Sequence, residues 1–515
     1  MDKVELETVN TEKKPNAFLR AVGFDASKQT TIRTELVAGI VTFLAMAYIL
    51  TVNPNQIFGA GSPYWASAFI ATALAAVIGT LLMAFLAKMP LAQASGMGLN
   101  SMLGGIIGGW GGYGAAFTPG QGFMLVLISG LIFMLLSVIK IKGKTFRELI
   151  FDGMPPAVRS AISVGIGLFI AYIGFQNAGV IVTNGYTQVG FVDFTNWGEQ
   201  TVNSLVPGWA AAKTAVVALS GVFLIAILDK LKVKGSIILG ILGASIIGVP
   251  LGVTDLSILA GNGDITWKFW ENFGNYFSAD ADTSVFGSFL TVFKDGLAPE
   301  GVSTFTIIMI IITMCMIDMF DTMGTIVGCC SGNRVLSDEN NKPYNYGKIM
   351  YSDAIATCTG ALLGTSTVTT FVESGAGVSA GGRTGLTAFS TAALFFLSMF
   401  MLPLFAAIPG AAAASALIYV GVLMMKGNVK TLETSNPINA TVAFLTIVVM
   451  LLSYSITKGI GVGMISYTLM SAIEYVISLI KYAVTKQDKP EWKVSIITVI
   501  VSLLFCVYFF VPAAF

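Results

Sequence analysis

The feature that most constrains this 515-residue chain is a series of apolar runs that repeats along nearly its whole length. Most runs are close to the roughly 20 residues that an α-helix needs to cross a bilayer. Seven runs precede a long connection at 256–302 and seven follow it. The runs are 34–57, 64–87, 90–110, 119–139, 155–180, 209–228 and 235–253, and then 303–328, 348–364, 365–382, 386–407, 411–425, 437–456 and 461–479. An extra apolar run, 494–511, follows them.

With 55% hydrophobic and 11% charged residues, the chain has more apolar surface than a soluble domain could cover. The sequence therefore predicts an all-α polytopic membrane protein with about 14 transmembrane segments. The net charge of +1 argues against a nucleic-acid partner, and the lipid bilayer is the expected environment.

The distribution of basic residues predicts the orientation. Lys13, Lys14, Arg20, Lys28 and Arg33 precede the first run, whereas the next connection, 58–63, has no Lys or Arg. By the positive-inside rule, we expect a multi-pass protein of the cell (plasma or inner) membrane with a cytoplasmic N-terminus. An odd number of spans before 256–302 places that loop outside the cytoplasm. It also gives the two sets of seven opposite orientations, as in a 7+7 inverted repeat.

The third run of each set differs from a uniform membrane helix. In the first set, 89–101 contains Pro90, Gly96 and Gly98 among polar side chains. In the second set, 364–377 contains a Thr/Val-rich stretch that favours extended backbone. Irregular backbone at membrane depth is tolerated only inside protein or beside a cavity. The sequence therefore predicts short extended breaks in the third and tenth spans, with a substrate site between them.

Three acids occupy predicted spans. Asp318 and Asp321 share one helical face, and Glu373 follows the extended stretch of the tenth span. Acids at this depth indicate a functional site, although the two aspartates could instead form a structural hydrogen-bond pair near a helix end. Asn100 could bind substrate or cap the helix after the glycine break.

Several classes of protein are excluded by the motifs that the sequence lacks. It has no Walker A motif, and with no histidine it has no His-Glu-x-x-His zinc site. We expect no enzyme activity, no metal and no cofactor. Without histidine, carboxylates are the groups best suited to exchange protons near neutral pH, so the expected coupling ion is H⁺.

Four motifs together resemble one family. They are Asp-Met-Phe-Asp-Thr-Met-Gly-Thr at 318–325, Thr-Ser-Thr-Val-Thr-Thr-Phe-Val-Glu-Ser-Gly-Ala-Gly-Val at 365–378, Ala-Ser-Gly-Met-Gly-Leu-Asn-Ser at 94–101, and the opening stretch from Arg33 to Pro54. These motifs resemble the azaguanine-type purine permeases of the nucleobase–ascorbate transporter superfamily. The resemblance covers roughly residues 18–480.

The resemblance implies proton symport of a purine base (adenine, guanine or hypoxanthine) into the cell by an elevator-like motion, commonly as a homodimer. It implies a core domain of spans 1–4 and 8–11, here 34–141 and 303–408. The gate domain of spans 5–7 and 12–14 corresponds to 142–255 and 409–480. A cytoplasmic tail, 1–33, the extracytoplasmic loop, 256–302, and a C-terminal segment, 481–515, complete the expected division. The extra hydrophobic run in that last segment departs from the family pattern.

The resemblance also assigns roles to residues. The substrate-binding set it implies is Glu373, Asp321, Asn100, Gly98, Thr322, Phe371 and Val372. The predicted proton-coupling set, Glu373, Asp321 and Asp318, follows from the residues themselves, because all three are acids in predicted spans and the chain has no histidine. The residue types suit a flat heterocycle, because carboxylates accept ring N–H groups, an amide donates, and an apolar slot covers the ring faces.

The residues leave other solutes and a second class of protein open. A transporter of the same architecture could carry a pyrimidine base or an organic anion. No basic residue lies in 89–103 or 364–382, where an anion carrier is expected to place one. A cation channel is the alternative from a different class, since acid-lined pores select cations.

Overall fold

The structure is a computed structural model, and the residues it describes are 17–28, 30–59, 61–109, 116–141, 144–145, 154–184, 188–195, 197, 211–261, 265–330, 335–337, 343–453, 455–486, 491–492 and 494–510. Most of the predicted N-terminal tail, including Lys13 and Lys14, and residues 511–515 of the C-terminal segment lie outside this part of the chain.

The chain is predominantly helical. In the first half the helices are α1 Ala17–Ala21, α2 Ile32–Met46, α3 Ile49–Phe58, α4 Trp65–Leu82 (continued by a π-helical turn, Met83–Ala87), α5 Met97–Ile107, α6 Pro119–Val138, α7 Pro156–Asn177, α8 Ala211–Lys230 and α9 Ser236–Gly248. The second half contains α10 Phe269–Tyr276, α11 Val285–Asp295, α12 Thr304–Cys330, α13 Tyr346–Leu363, α14 Ser374–Ser379, α15 Gly385–Ser398, α16 Leu402–Ala406, α17 Gly410–Asn428, α18 Pro437–Leu452, α19 Ile456–Thr485 and α20 Ile496–Phe510. The strands are β1 Gln93–Ser95, β2 Lys140–Ile141, β3 Lys144–Thr145, β4 Ile181–Asn184, β5 Gln188–Phe191 and β6 Val368–Thr370.

Within the described residues, seven helices are long and apolar enough to cross a membrane: Ile32–Phe58, Trp65–Ala87, Pro119–Val138, Pro156–Asn177, Ala212–Lys230, Gly385–Ala406 and Lys458–Val484. Seven shorter apolar helices accompany them. The prediction of a predominantly helical chain with many apolar helices is thus confirmed. The number of 14 spans and their 7+7 arrangement stay predictions.

The predicted extended breaks in the third and tenth runs are confirmed, because β1 lies in the third and β6 in the tenth. The two strands pair with each other in antiparallel register, with Ala94 opposite Thr369. Beyond them, the Gly96 N–H donates to the Thr367 carbonyl (2.9 Å) and the Phe371 N–H to the Ala92 carbonyl (3.0 Å). Each break therefore satisfies the backbone groups of the other, which makes extended backbone tolerable inside a membrane protein.

Threonines on two flanking helices satisfy the outer edges of this strand pair. Thr80 of α4 accepts from the Gln93 N–H and donates to the Gln93 carbonyl, both at 3.0 Å. On the other side, the Thr357 hydroxyl of α13 lies 3.2 Å from the Val368 carbonyl. Glycine allows the close approach: a Cβ on Gly360 would lie 2.5 Å from the Val368 side chain. The second and ninth predicted spans thus cover corresponding edges of the strand crossing.

The segment 256–302 is more structured than the loop that the sequence analysis describes. It contains α10 and α11, and the Ser288 hydroxyl of α11 accepts from the Gly120 N–H at 3.0 Å. The buried Tyr276 hydroxyl of α10 donates to the Leu363 carbonyl at 2.8 Å. The two helices therefore pack on the ends of α6 and α13.

The extra run 494–511 forms the helix α20, which packs along α19. Gly461 of α19 makes room for it, since a Cβ there would lie 2.6 Å from Phe505 and 2.7 Å from Phe509. The Thr468 and Ser502 hydroxyls hydrogen-bond between the two helices at 2.7 Å. The fourteenth run also begins earlier than predicted, at Ile456, because Ser455 caps the helix by accepting from the Lys458 N–H.

Candidate functional site

Glu373 lies immediately after the strand crossing and before the short helix α14. Its side chain is 6% exposed, and its Oε1 accepts a hydrogen bond from the Tyr48 hydroxyl at 2.6 Å. Tyr48 lies at the junction of α2 and α3, where it is 1% exposed, and its hydroxyl also lies 3.7 Å from the Met97 sulfur. The Glu373 Oε2 atom is buried and has no hydrogen-bond partner among the described residues.

Asp321 of α12 lies beside the same crossing. Its Oδ2 is 3.4 Å from the Thr369 hydroxyl of β6 and would be 3.7 Å from a Cβ on Gly96. Asp321 is only partly buried, and Val372 next to Glu373 is 44% exposed. The two predicted binding acids therefore both lie close to β6, one beside Thr369 and the other three residues after the strand ends.

Asn100 is fully buried in a cluster of neutral polar groups. Its Oδ1 accepts from the Ser95 hydroxyl at 2.9 Å and from the Ser366 hydroxyl, and its Nδ2 donates to Gln56 Oε1 at 3.4 Å. The helix α5 begins at Met97, and its N-cap residue is Gly96, which has no side chain to cap it, so Asn100 is not the capping residue. These bonds favour a supporting role, joining the third break to the tenth, and substrate binding by Asn100 stays a prediction.

Asp318 and Thr322, both fully buried on α12, are hydrogen-bonded to α13. The Thr357 hydroxyl donates to Asp318 Oδ2 at 3.0 Å, and the Thr322 hydroxyl donates to Asp353 Oδ1 at 2.8 Å. Both predicted site residues thus bond to α13, and their roles in proton coupling and substrate binding stay predictions.

Gly98 lies at the start of α5, where a Cβ would be 3.5 Å from Ile166 of α7 and 3.4 Å from Ile456 of α19. It therefore faces the helices of the predicted gate domain. Phe371 is buried, and the carbonyls of Phe371 and Val372 lie 4.0 and 3.5 Å from the Cys329 sulfur of α12. The turn 371–373 joins β6 to α14, and Glu373 is its last residue.

Tyr48 and Asp353 are functional candidates that the sequence analysis does not include. A tyrosine in an apolar run is ordinary, and the sequence signal that could have singled out Tyr48 is its place in the opening stretch from Arg33 to Pro54. Asp353 also has a signal: it is an acid inside the predicted span 348–364, and the cost of burying it applies as it does to Asp318.

A cavity of about 730 Å³ lies elsewhere. Asn55, Trp65, Lys213 and Asp255 are among its lining residues, and none of the predicted site residues lines it. Buried carboxylates at broken helices indicate a transport site more strongly than the volume of a cavity does. The described residues contain no group of three or more Cys, Asp or Glu that could hold a metal ion.

A multi-pass helical protein in which two interrupted spans meet at buried carboxylates has the features of a membrane permease. The sequence profile of the Permease family Xan_ur_permease matches residues 33–462, and the chain belongs to this family. The resemblance that the motifs indicate is thereby confirmed, and the chain is a transporter and not an enzyme.

Curated relatives match over most of their length. The adenine permease AdeP of Escherichia coli is 35% identical over 86% of this chain and 87% of its own. The guanine/hypoxanthine permease PbuO of Bacillus subtilis is 33% identical over 86% of this chain and 93% of its own.

Among solved structures, the transmembrane domain of the cyanobacterial bicarbonate transporter BicA superposes with a TM-score of 0.55. The match covers 84% of this chain and 97% of that domain at 15% sequence identity. A likeness at this identity shows a shared fold and leaves the substrate to be argued from the site.

Proposed function

We propose that the protein carries a purine nucleobase (adenine, guanine or hypoxanthine) into the cell by proton symport. Glu373 and Asp321 are the binding carboxylates in this proposal, and H⁺ is the coupling ion, with no other cofactor. The substrate class follows from the relatives, since AdeP is named for adenine and PbuO for guanine and hypoxanthine.

The observation that carries the proposal is that the Glu373 Oε2 atom has no hydrogen-bond partner within the residues that the structure describes. A buried carboxylate oxygen without a donor is costly, so such an atom in a native protein calls for an explanation. Tyr48 occupies Oε1 and so fixes the carboxyl group, which leaves Oε2 to accept a hydrogen from a ligand. A ring N–H of a purine base supplies that hydrogen.

The surroundings of Glu373 suit a flat, neutral heterocycle. Val372 offers an exposed apolar surface next to Glu373 in the chain, and Asp321 supplies a second acceptor beside Thr369 of β6. The cluster around Asn100 has neutral side chains, so the polar groups near the crossing do not favour an anion.

Proton coupling follows from the cost of moving charge through a bilayer. An ionised Glu373 or Asp321 is unfavourable at low dielectric, and taking up a proton removes that cost before the site changes sides. Base and proton then stabilise the same state of the site, which links their transport.

The proposed architecture is a 7+7 inverted repeat whose core domain moves against the gate domain as an elevator. The corresponding positions of β1 and β6, and of Thr80 and Thr357 at their outer edges, support the repeat. The N-terminus is proposed to be cytoplasmic and the membrane to be the cell membrane. The homodimer implied by the family is proposed with it, to be tested by cross-linking in native membranes.

The test is uptake of radiolabelled adenine, guanine and hypoxanthine by the purified chain in vesicles with an imposed pH step. Accumulation is expected to follow the pH step and to be the same with or without sodium. Competition by unlabelled xanthine and uracil measures how far the site discriminates among bases. Glu474→Gln is a matched control, because Glu474 is an exposed acid on α19 far from the strand crossing in sequence and is expected to leave uptake unchanged.

Accumulation driven by sodium at constant pH would overturn the coupling ion. Saturation by uracil with no effect of purines would favour a pyrimidine carrier. An ionic current without any base would favour a channel.

A further inference from the structure

Helices α12 and α13 exchange two reciprocal hydrogen-bonded pairs. Asp318 and Thr322 lie one turn apart on α12, and Asp353 and Thr357 lie one turn apart on α13. Thr357 donates to Asp318 and Thr322 donates to Asp353, at 3.0 and 2.8 Å. Each helix thus supplies one donor and one acceptor, and all four side chains are fully buried.

Each pair also contacts one strand of the crossing. The Thr357 hydroxyl lies 3.2 Å from the Val368 carbonyl of β6. Asp353 Oδ1 accepts a second hydrogen bond from Gln93 Nε2 of β1, at 3.0 Å. Because β6 ends three residues before Glu373, anything that fixes β6 also fixes the backbone that carries this carboxylate.

We propose that these four residues form a clamp, named here the Asp-Thr clamp, which sets the position of β6 and through it the position of Glu373. Asp353 is then a positioning residue that acts on β6 through Gln93, because Gln93 Nε2 also lies 3.4 Å from the Thr370 hydroxyl of β6. Asp318 acts through Thr357 without touching the base. The inference rests on the proposed role of Glu373 as the binding carboxylate.

The two pairs differ in how many acceptors compete for the threonine hydroxyl hydrogen. Thr357 has one hydroxyl hydrogen, which lies between two acceptors, Asp318 Oδ2 and the Val368 carbonyl. Asp353 Oδ1 accepts from both Thr322 and Gln93. A threonine placed at position 353 could still accept from Gln93 with its hydroxyl oxygen and donate its hydrogen to position 322.

The effect of exchanging the two residues of a pair therefore depends on which pair is exchanged. The double variant Thr322→Asp with Asp353→Thr preserves the hydrogen bond between the helices and the bond to Gln93. The double variant Asp318→Thr with Thr357→Asp places an ionised acceptor beside the Val368 carbonyl and removes its donor. If the clamp sets the position of Glu373, the first exchange should restore that position and the second should not.

Cys329 provides a local readout that needs no substrate. Its sulfur is buried 3.5 Å from the Val372 carbonyl, so displacement of the turn 371–373 uncovers it. The rate of its modification by N-ethylmaleimide is measured on the purified full chain, with the other four cysteines replaced by alanine. Those cysteines are Cys315, Cys330, Cys358 and Cys506.

Asp353→Ala is expected to speed this modification at least about tenfold, the effect of losing a buried hydrogen bond to a charged acceptor. The 322/353 exchange should return the rate to within about threefold of wild type, and the 318/357 exchange should remain fast. Thr359→Val is the matched control, since that hydroxyl donates only to the Ala356 carbonyl of its own helix, at 2.8 Å. If Asp353→Ala does not purify as a folded protein, Thr322→Val removes the same bond with little change in volume.

Asp353→Asn separates positioning from proton transfer. The asparagine carbonyl still accepts from Thr322 and Gln93, so wild-type modification and an unchanged KM for the base are expected. An unchanged rate in Asp353→Ala and Thr322→Val, or an Asp353→Asn rate as fast as that of the alanine variant, would overturn the clamp. A chain that shows the expected rates of modification but transports no purine would refute the proposed substrate and leave the clamp standing.

Discussion

The two sides of the strand crossing are both buried and polar, yet they use their polar groups differently. On the first-half side, Asn53, Ser95 and Asn100 are neutral and hydrogen-bond to one another and to the start of the tenth span. On the second-half side, Glu373 has one oxygen bonded to Tyr48 and the other without a partner in the part of the chain that the structure describes. Burial of a polar group is therefore a weak guide to function here. A carboxylate oxygen that the protein leaves without a donor is the better guide, because an ionised group costs more to bury unpaired than a neutral amide or hydroxyl.

The change with the largest expected effect is Glu373→Gln. The amide keeps the shape and one acceptor oxygen but removes the charge, so affinity for the base should fall by about 1.5–3 kcal/mol, or roughly 10- to 150-fold. Equilibrium binding of radiolabelled base to the purified variant measures it, with surface expression checked in parallel. Wild-type affinity in a well-expressed variant would place the site elsewhere, and Asp321 would be examined next.

Asn100→Ala tests the neutral side. Removing the amide takes away the acceptor for Ser95 and Ser366, so the free energy of unfolding should fall by about 1–3 kcal/mol. The melting temperature measures this change. Competition among adenine, guanine and hypoxanthine on the same protein distinguishes the two roles, because a supporting residue lowers stability with the order of preference kept. A changed order of preference would show that Asn100 reads the base directly.

Tyr48→Phe should have a smaller effect on binding. Glu373 keeps its charge and loses one donor, so affinity is expected to change by about 0.5–1.5 kcal/mol, or roughly 2- to 13-fold. A double-mutant cycle with Glu373→Gln measures the coupling of the two side chains. Effects that simply add would mean that the 2.6 Å contact does not contribute to the site.

The smallest effect is expected for Gly98→Ala. A Cβ at Gly98 makes ordinary contacts with Ile166 and Ile456 and replaces a helical glycine, so the melting temperature should stay or rise slightly. Gly360→Ala is the contrasting variant, because its Cβ would overlap Val368 and cost about 1–3 kcal/mol. If Gly98→Ala also raises the KM for the base, the predicted contact between Gly98 and substrate is supported. An unchanged KM contradicts it.

The helical architecture and the two breaks could be predicted from the sequence because each depends on local composition. Apolar length indicates spans, and the Pro90–Gly98 and Thr365–Thr370 stretches disfavour uninterrupted helix. Glu373 and Asp321 could be found because a charge within an apolar run is rare.

What the sequence could not supply is the pairing of elements distant in the chain. Nothing local indicates that Ala94 lies opposite Thr369, or that Tyr48 reaches Glu373. The partners also change the interpretation of individual residues: Asp318, predicted to couple protons, is bonded to Thr357, and this contact depends on how α12 meets α13. Asp353 could have been recognised by the same rule that singles out Asp318.

The antiparallel pairing of β1 with β6 has a consequence for synthesis of the protein. About 270 residues separate the two strands, so at roughly 5–20 residues per second the ribosome needs about 14 to 54 s to make the second after the first. During that interval β1 has no strand partner for its backbone groups, which lipid cannot satisfy. The nascent first half must therefore be sheltered by the insertion machinery or by water until β6 is made. Substitutions in β6 should accordingly lower the yield of inserted protein even where the finished fold would tolerate them.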